Sequence, residues 1–171
     1  AGPTVFADDF DTDTAGGWLL RFGAGNGISD YVAEFAYDYS QDGIPPAPHS
    51  DGGTTKGVKV TVNKNDATAS AAGVNIYPKG LNVSGDFSLR FDMYLTCNLT
   101  VAGTTEHAIF GIDHGGSYTN RHGTAGGDGL WFAVETDGSA SSGRSYVSYV
   151  GNKTATPTFT ARPASDFGLY F

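Results

Sequence analysis

Hydrophobic and polar residues alternate along this chain with a period of two. The clearest stretch is residues 87–95: Phe87, Leu89, Phe91, Met93 and Leu95 fall on one face, and Ser88, Arg90, Asp92 and Tyr94 on the other. Successive side chains of a strand point to opposite faces, so this pattern predicts a strand packed on one side and wet on the other. Val58, Val60 and Val62 repeat it, with Lys59 and Thr61 facing out. Further strands are expected at residues 4–10, 18–22, 31–37, 73–77, 107–112, 130–135 and 145–150, with residues 167–171 as one more. No window of a dozen residues holds a helical period.

Between these runs lie turn-rich pieces at 11–17, 23–29, 40–53, 63–72, 113–128 and 137–144, dense in Gly, Asp and Ser. Short strands joined in this way predict an all-β protein, an antiparallel β-sandwich or jelly roll, formed as a single domain over residues 1–171. Residues 40–53, with Pro45, Pro46 and Pro48, read as a surface loop or as a functional one. The chain closes on an apolar run, Gly168-Leu169-Tyr170-Phe171. An exposed sandwich edge of that kind would be sticky. Either the run tucks into the core or the chain is the N-terminal part of a longer polypeptide with an incomplete sandwich; the second is the expectation.

Composition sharpens this picture. Gly is 25 of 171 residues, and the acids are fifteen Asp against three Glu, a choice that favours turns over helices. A net charge of −8, with ten scattered Lys and Arg, makes nucleic acid and anionic membranes poor partners. No apolar run approaches the roughly 18 residues of a membrane span.

The single cysteine, Cys97, cannot form an internal disulfide, and no zinc or iron–sulfur spacing exists. The first residues, Ala1-Gly2-Pro3, are what a mature protein shows after signal-peptide removal. Sequons stand at Asn82, Asn98 and Asn152. Together with low Lys and an acidic surface, these features suggest an extracellular or cell-surface protein.

The segment Gly126-Gly127-Asp128-Gly129-Leu130-Trp131-Phe132-Ala133-Val134-Glu135-Thr136-Asp137 resembles the Asp-Gly-Leu-Ala-Phe stretch of L-type, legume-like lectins, which runs into a strand carrying a Glu-x-Asp metal motif. The opening Phe6-Ala7-Asp8-Asp9-Phe10-Asp11, with Trp18 shortly after, is similar to the first strand of many concanavalin A-like and laminin-G-like domains. The resemblance implies a concanavalin A-like jelly roll that binds a glycan or polysaccharide, with Asp128 as the residue accepting sugar hydroxyls. Glu135 and Asp137 match the Glu-x-Asp spacing. Gly138-Ser139-Ala140-Ser141-Ser142-Gly143 then stands where that family carries Asn and Asp ligands, which leaves a single calcium as the implied metal.

The residues support this chemistry in their own right. A fixed carboxylate accepts charge-assisted bonds from sugar hydroxyls, and glycines beside it, Gly127 among them, let backbone N–H groups approach. Asp128 is also what a plain turn before a strand would carry. The loop from Asp113 to His122 gathers Tyr118, Asn120 and Arg121, which read either as one wall of a sugar site or as a solvated loop. His114 and His122 sit in a glycine-rich loop whose spacing fixes no metal geometry. Asp9, Asp11 and Asp13 would share one face of an extended strand, where calcium would relieve their repulsion. They do not make an EF-hand, because Thr14 and Leu20 replace its Gly and Glu. Of Trp131 and Phe132, adjacent in one strand, one must face away from the core.

A catalytic carboxylate pair is absent from the pattern. Only Glu34, Glu106 and Glu135 exist, and no second Glu follows Glu135 at glucanase spacing. No Gly-x-Ser-x-Gly elbow or phosphate loop occurs. The expectation is a secreted, non-catalytic, lectin-like domain. The alternative is a structural or adhesive module of a surface or filament-forming protein, which self-assembles or takes its remaining strands from another chain.

Overall fold

Alternating side chains on β-branched and aromatic residues build the strands, and the Gly and Asp clusters end them. The computed structural model describes residues 2–62, 72–95, 107–112, 119–120, 128–135, 146–152 and 158–162. Eight strands run through them: β1 (Trp18–Ala24), β2 (Tyr31–Asp38), β3 (Lys56–Val62), β4 (Ala72–Pro78), β5 (His107–Ile112), β6 (Asp128–Glu135), β7 (Tyr146–Asn152) and β8 (Thr158–Arg162). Among the described residues the only helical turns are short 3-10 pieces, so the protein is all-β. All strand pairs are antiparallel. They form two ribbons, β1–β4 and β2–β3, and one four-stranded meander in the order β5-β6-β7-β8.

The two ribbons meet through rings. Trp18, Leu20 and Phe22 share one face of β1. Trp18 lies 6.3 Å from Phe35, and Phe22 stacks on Tyr31 at 4.8 Å, although β1 and β2 share no ladder. The ribbons are thus joined by ring contacts and not by a shared ladder. Phe6 and Phe10 close the end of this layer, 5.7 and 5.3 Å from Trp18. Such ring pairs contribute roughly 0.5–1.5 kcal/mol each beyond their buried area.

The meander has its own core. Trp131 and Ala133, each 1% exposed, point to one side of β6 and pack with Ile109. Phe132 points to the other side and stacks on Phe110 at 5.4 Å, its register partner across β5–β6. Trp131 is therefore the core residue of the pair, and Phe132 is the one that faces away. Gly111, opposite Trp131, has no room for a side chain: an added Cβ would stand 2.5 Å from the Leu130 carbonyl oxygen and 2.6 Å from the Trp131 Cβ.

Two expected strands are absent. Residues 4–10 form no strand, and Phe10 takes a left-handed φ of 57° that turns the chain. Asp8 organises that turn, accepting from the Phe10 amide (2.9 Å), the Thr14 hydroxyl (2.7 Å) and the Trp18 indole (2.8 Å). Residues 87–95, the cleanest alternation in the sequence, run without turn or bend but join no ladder among the described residues. Their apolar row stays half-exposed. Residues 167–171 lie outside the described residues, and so does Cys97. One strand, β8, was not expected from the pattern.

Residues 40–53 are a well-tied loop. Tyr39 is its peg, donating its hydroxyl to the Thr54 carbonyl (3.0 Å) and accepting from the Ala47 amide (3.1 Å). In β2 a bulge between Glu34 and Tyr37 puts Ala36 at φ 56°, a left-handed conformation that suits glycine better. Beside it Lys59 donates to the Tyr37 hydroxyl and Asp42, both at 2.9 Å, and its ammonium lies 4.1 Å from the centre of the Tyr37 ring. The Tyr37 and Asp42 hydrogen bonds raise the Lys59 pKa.

Candidate functional site

The face of the β1–β4 ribbon opposite its aromatic layer is polar, and the strand register dictates which residues line it. Leu19, Arg21 and Gly23 stand across from Tyr77, Asn75 and Gly73. Gly23 and Gly73 face each other with no side chains, which leaves a shallow floor at this end of the ribbon. Thr119 occupies it, its Cβ 3.3 Å from where a Gly23 Cβ would be.

Asn120, next in the chain, is 5% exposed and is held by Asn75. The Asn120 amide donates to the Asn75 Oδ1 (2.6 Å), and the Asn75 Nδ2 donates to the Asn120 carbonyl (3.0 Å). One side chain thereby satisfies the N–H and the C=O of a buried residue, which would cost about 1–3 kcal/mol per group if left unmade. The Tyr77 hydroxyl donates to the same Asn75 Oδ1 at 2.9 Å and fixes the carboxamide in place. Arg21, whose Nη1 donates to the Leu20 carbonyl at 3.1 Å, stands opposite Asn75 in the register. A guanidinium, a carboxamide and a phenol on one face are hydrogen-bonding groups of the kind that recognise hydroxyl-bearing ligands.

Of the sugar-site residues expected from sequence, Asn120 is thus the one whose main chain is held at a polar cluster. Asp128 opens β6, with its Cα opposite Asn152, and Gly129 follows at φ 76°, a turn that only glycine takes without strain. Glu135 closes the same strand, opposite His107. Seven strand steps separate Asp128 from Glu135, roughly 23 Å. A metal held at Glu135 would therefore sit at the far end of β6 from Asp128. Gly127, Tyr118, Arg121, Asp137, His114 and His122 lie outside the described residues.

The acidic arm does not present one face, since no strand forms there. Asp9 accepts from the Asp11 amide (3.0 Å), Asp11 from the Thr54 hydroxyl (2.7 Å), and Asp13 from the Ala15 amide (3.0 Å). Asp9 and Asp13 thus end on local bonds, and Asp11 on the distant Thr54. Among the described residues no three His, Cys, Asp or Glu side chains converge as a metal site would require. Asp8 is part-buried, and desolvation pushes its carboxyl up. The bonds from Trp18, Thr14 and Phe10 together outweigh that, and the net shift is downward.

Sequence reading did not single out Arg21, Asn75 or Tyr77, because each is an ordinary polar position of an alternating strand. Only the register that sets Arg21 against Asn75, and the return of the chain at residues 119–120, makes them neighbours. No protein-family model matches this chain, and no curated protein or solved structure matches it either.

Proposed function

We propose that this chain is a secreted, non-catalytic carbohydrate-binding domain, an antiparallel β-sandwich of the concanavalin A-like jelly-roll type. The observation that carries the reading is the capture of residue 120 by Asn75, which holds the Asn120 main chain against a face already carrying Arg21 and Tyr77. Main chain held at residue 120 on a paired ribbon suits a ligand made mostly of hydroxyl groups, since pre-ordering lowers the entropy cost of binding. The acidic charge fits a neutral glycan better than a polyanion. The structural or adhesive alternative draws on a different observation, the half-exposed apolar row at residues 87–93.

The test is a glycan-array screen of the folded chain, run with calcium and then with EDTA. Binding to a defined glycan is expected, abolished by Asp128→Ala. Asn75→Ala is expected to weaken binding about tenfold by releasing residue 120, a loss of about 1.4 kcal/mol. Loss of binding in EDTA would bring calcium into the site. A blank array on a folded sample would overturn the reading, and sugar release from a polysaccharide, lost in Glu135→Gln, would replace it with a hydrolase.

A further inference from the structure

Residues 87–95 are a straight segment with the alternation of a strand and no strand partner among the described residues. Phe87, Leu89, Phe91 and Met93 are between 46% and 55% exposed. Among the described residues a ring contact and a carboxylate clip tie the segment to the rest of the molecule, one on each of its faces. On the apolar side Phe91 lies 5.2 Å from Phe110, continuing the Phe110–Phe132 stack of the meander. On the polar side Asp92 grips His49, taking the backbone amide on one oxygen and the ring Nδ1 on the other, both at 2.8 Å. The segment is thus presented beside β5, an edge strand of the meander, with its backbone hydrogen-bonding groups unused by any ladder among the described residues. Such an edge is a template for another strand.

The sequence of the segment says which strand fits. Laid antiparallel against an identical copy and centred on Phe91, it sets Phe91 opposite Phe91, Leu89 opposite Met93 and Phe87 opposite Leu95. On the other face the same register sets Arg90 of each copy opposite Asp92 of the other, and Ser88 opposite Tyr94. Apolar residues meet apolar ones, and each charge meets its opposite, twice over. A register shifted by one residue would place the apolar row of one copy against the polar row of the other. Self-complementarity about a centre is what a two-fold isologous interface requires. Asp92 retains acceptor capacity for Arg90 while it holds His49.

We propose that residues 87–95 pair with the same residues of a second copy, as an antiparallel two-fold strand pair centred on Phe91. This goes beyond the carbohydrate reading and does not depend on it.

Sedimentation equilibrium of the full chain in a Cys97→Ser background should show a monomer–dimer equilibrium. Arg90→Asp, which leaves the His49 clip intact, sets like charges opposite each other at two positions and should weaken the dimer about tenfold. Asp92→Arg should weaken it similarly, and an equimolar mixture of the two variants should recover a mixed dimer, because every charge again meets its opposite. Under mild oxidation Phe91→Cys should cross-link to itself. Leu89→Cys should do so only when mixed with Met93→Cys. Near-ultraviolet circular dichroism matching the parent confirms that each variant is folded. A monomer at all concentrations, equal self-cross-linking of Leu89→Cys and Phe91→Cys, or amide protection of residues 87–95 that does not vary with concentration would each overturn the proposal. The last outcome would mean that the chain covers this edge itself.

Discussion

Strand β1 and the segment 87–95 differ in a way that their sequences do not anticipate. The segment alternates without a fault over nine residues, whereas β1 reads Trp-Leu-Leu-Arg-Phe-Gly-Ala and breaks its own pattern. Yet β1 pairs along its whole length with β4 and packs its rings against β2, while residues 87–95 stay half-exposed and join no ladder among the described residues. Alternation determines which side chains share a face. It does not supply a neighbour. The irregularities of β1 are what let it be covered on both sides: Leu20 and Phe22 face the aromatic layer, and Gly23 clears the floor on which Thr119 rests.

This contrast can be pressed from both sides. The largest effect is expected where packing is complete. Trp131→Ala should destabilise the protein by about 3–5 kcal/mol, read from denaturant midpoints at constant slope, because a fully buried indole leaves a cavity. A loss below about 1 kcal/mol would mean that β6 is not the core of the meander. Asp8→Ala should follow, at about 1–2 kcal/mol after allowance for partial solvent exposure, since three donors lose their acceptor.

That effect carries a pH signature. The folded Asp8 pKa lies below the ordinary 3.8, so its contribution is fully present above that value and disappears as pH falls through the lower, folded value. Acid unfolding of Asp8→Ala should accordingly be less steep than that of the parent below about pH 4. Ala36→Gly reverses the sign: with a left-handed φ already imposed by the bulge, glycine should stabilise the fold by about 0.5–1 kcal/mol. The smallest effect belongs to the segment. Leu89→Ser should move monomer stability by less than about 0.5 kcal/mol, since the side chain it replaces is more than half exposed.

Much of the architecture was legible before any coordinates. Seven of the eight strands coincide with alternating runs, because burial of one face imposes period two on the sequence. The split between Trp131 and Phe132 follows from the same rule. β8 was missed because Thr-Phe-Thr-Ala-Arg is short and only weakly apolar, and its place is set by pairing with β7. The error at residues 4–10 has a local cause. Asp8 draws the Phe10 amide, Thr14 and Trp18 to one carboxylate, and three such bonds outweigh the strand preference of Val5 and Phe6. The polar face of the first ribbon was invisible for a topological reason. Arg21, Asn75 and Asn120 are far apart in sequence, and their meeting depends on register and on a long-range return of the chain.

The Asn75 carboxamide offers one donor and one acceptor to residue 120, which is what a neighbouring strand would offer at a single rung. Because it grips main chain and not side chain, the anchor is indifferent to the identities of the residues it steadies. Substitutions at residue 120 can change what its side chain touches without changing where its main chain stands. Asn75 itself has no such latitude: aspartate loses the donor, serine falls short and glutamine overreaches. The address of residue 120 is thus written in β4, and its message is left free to vary.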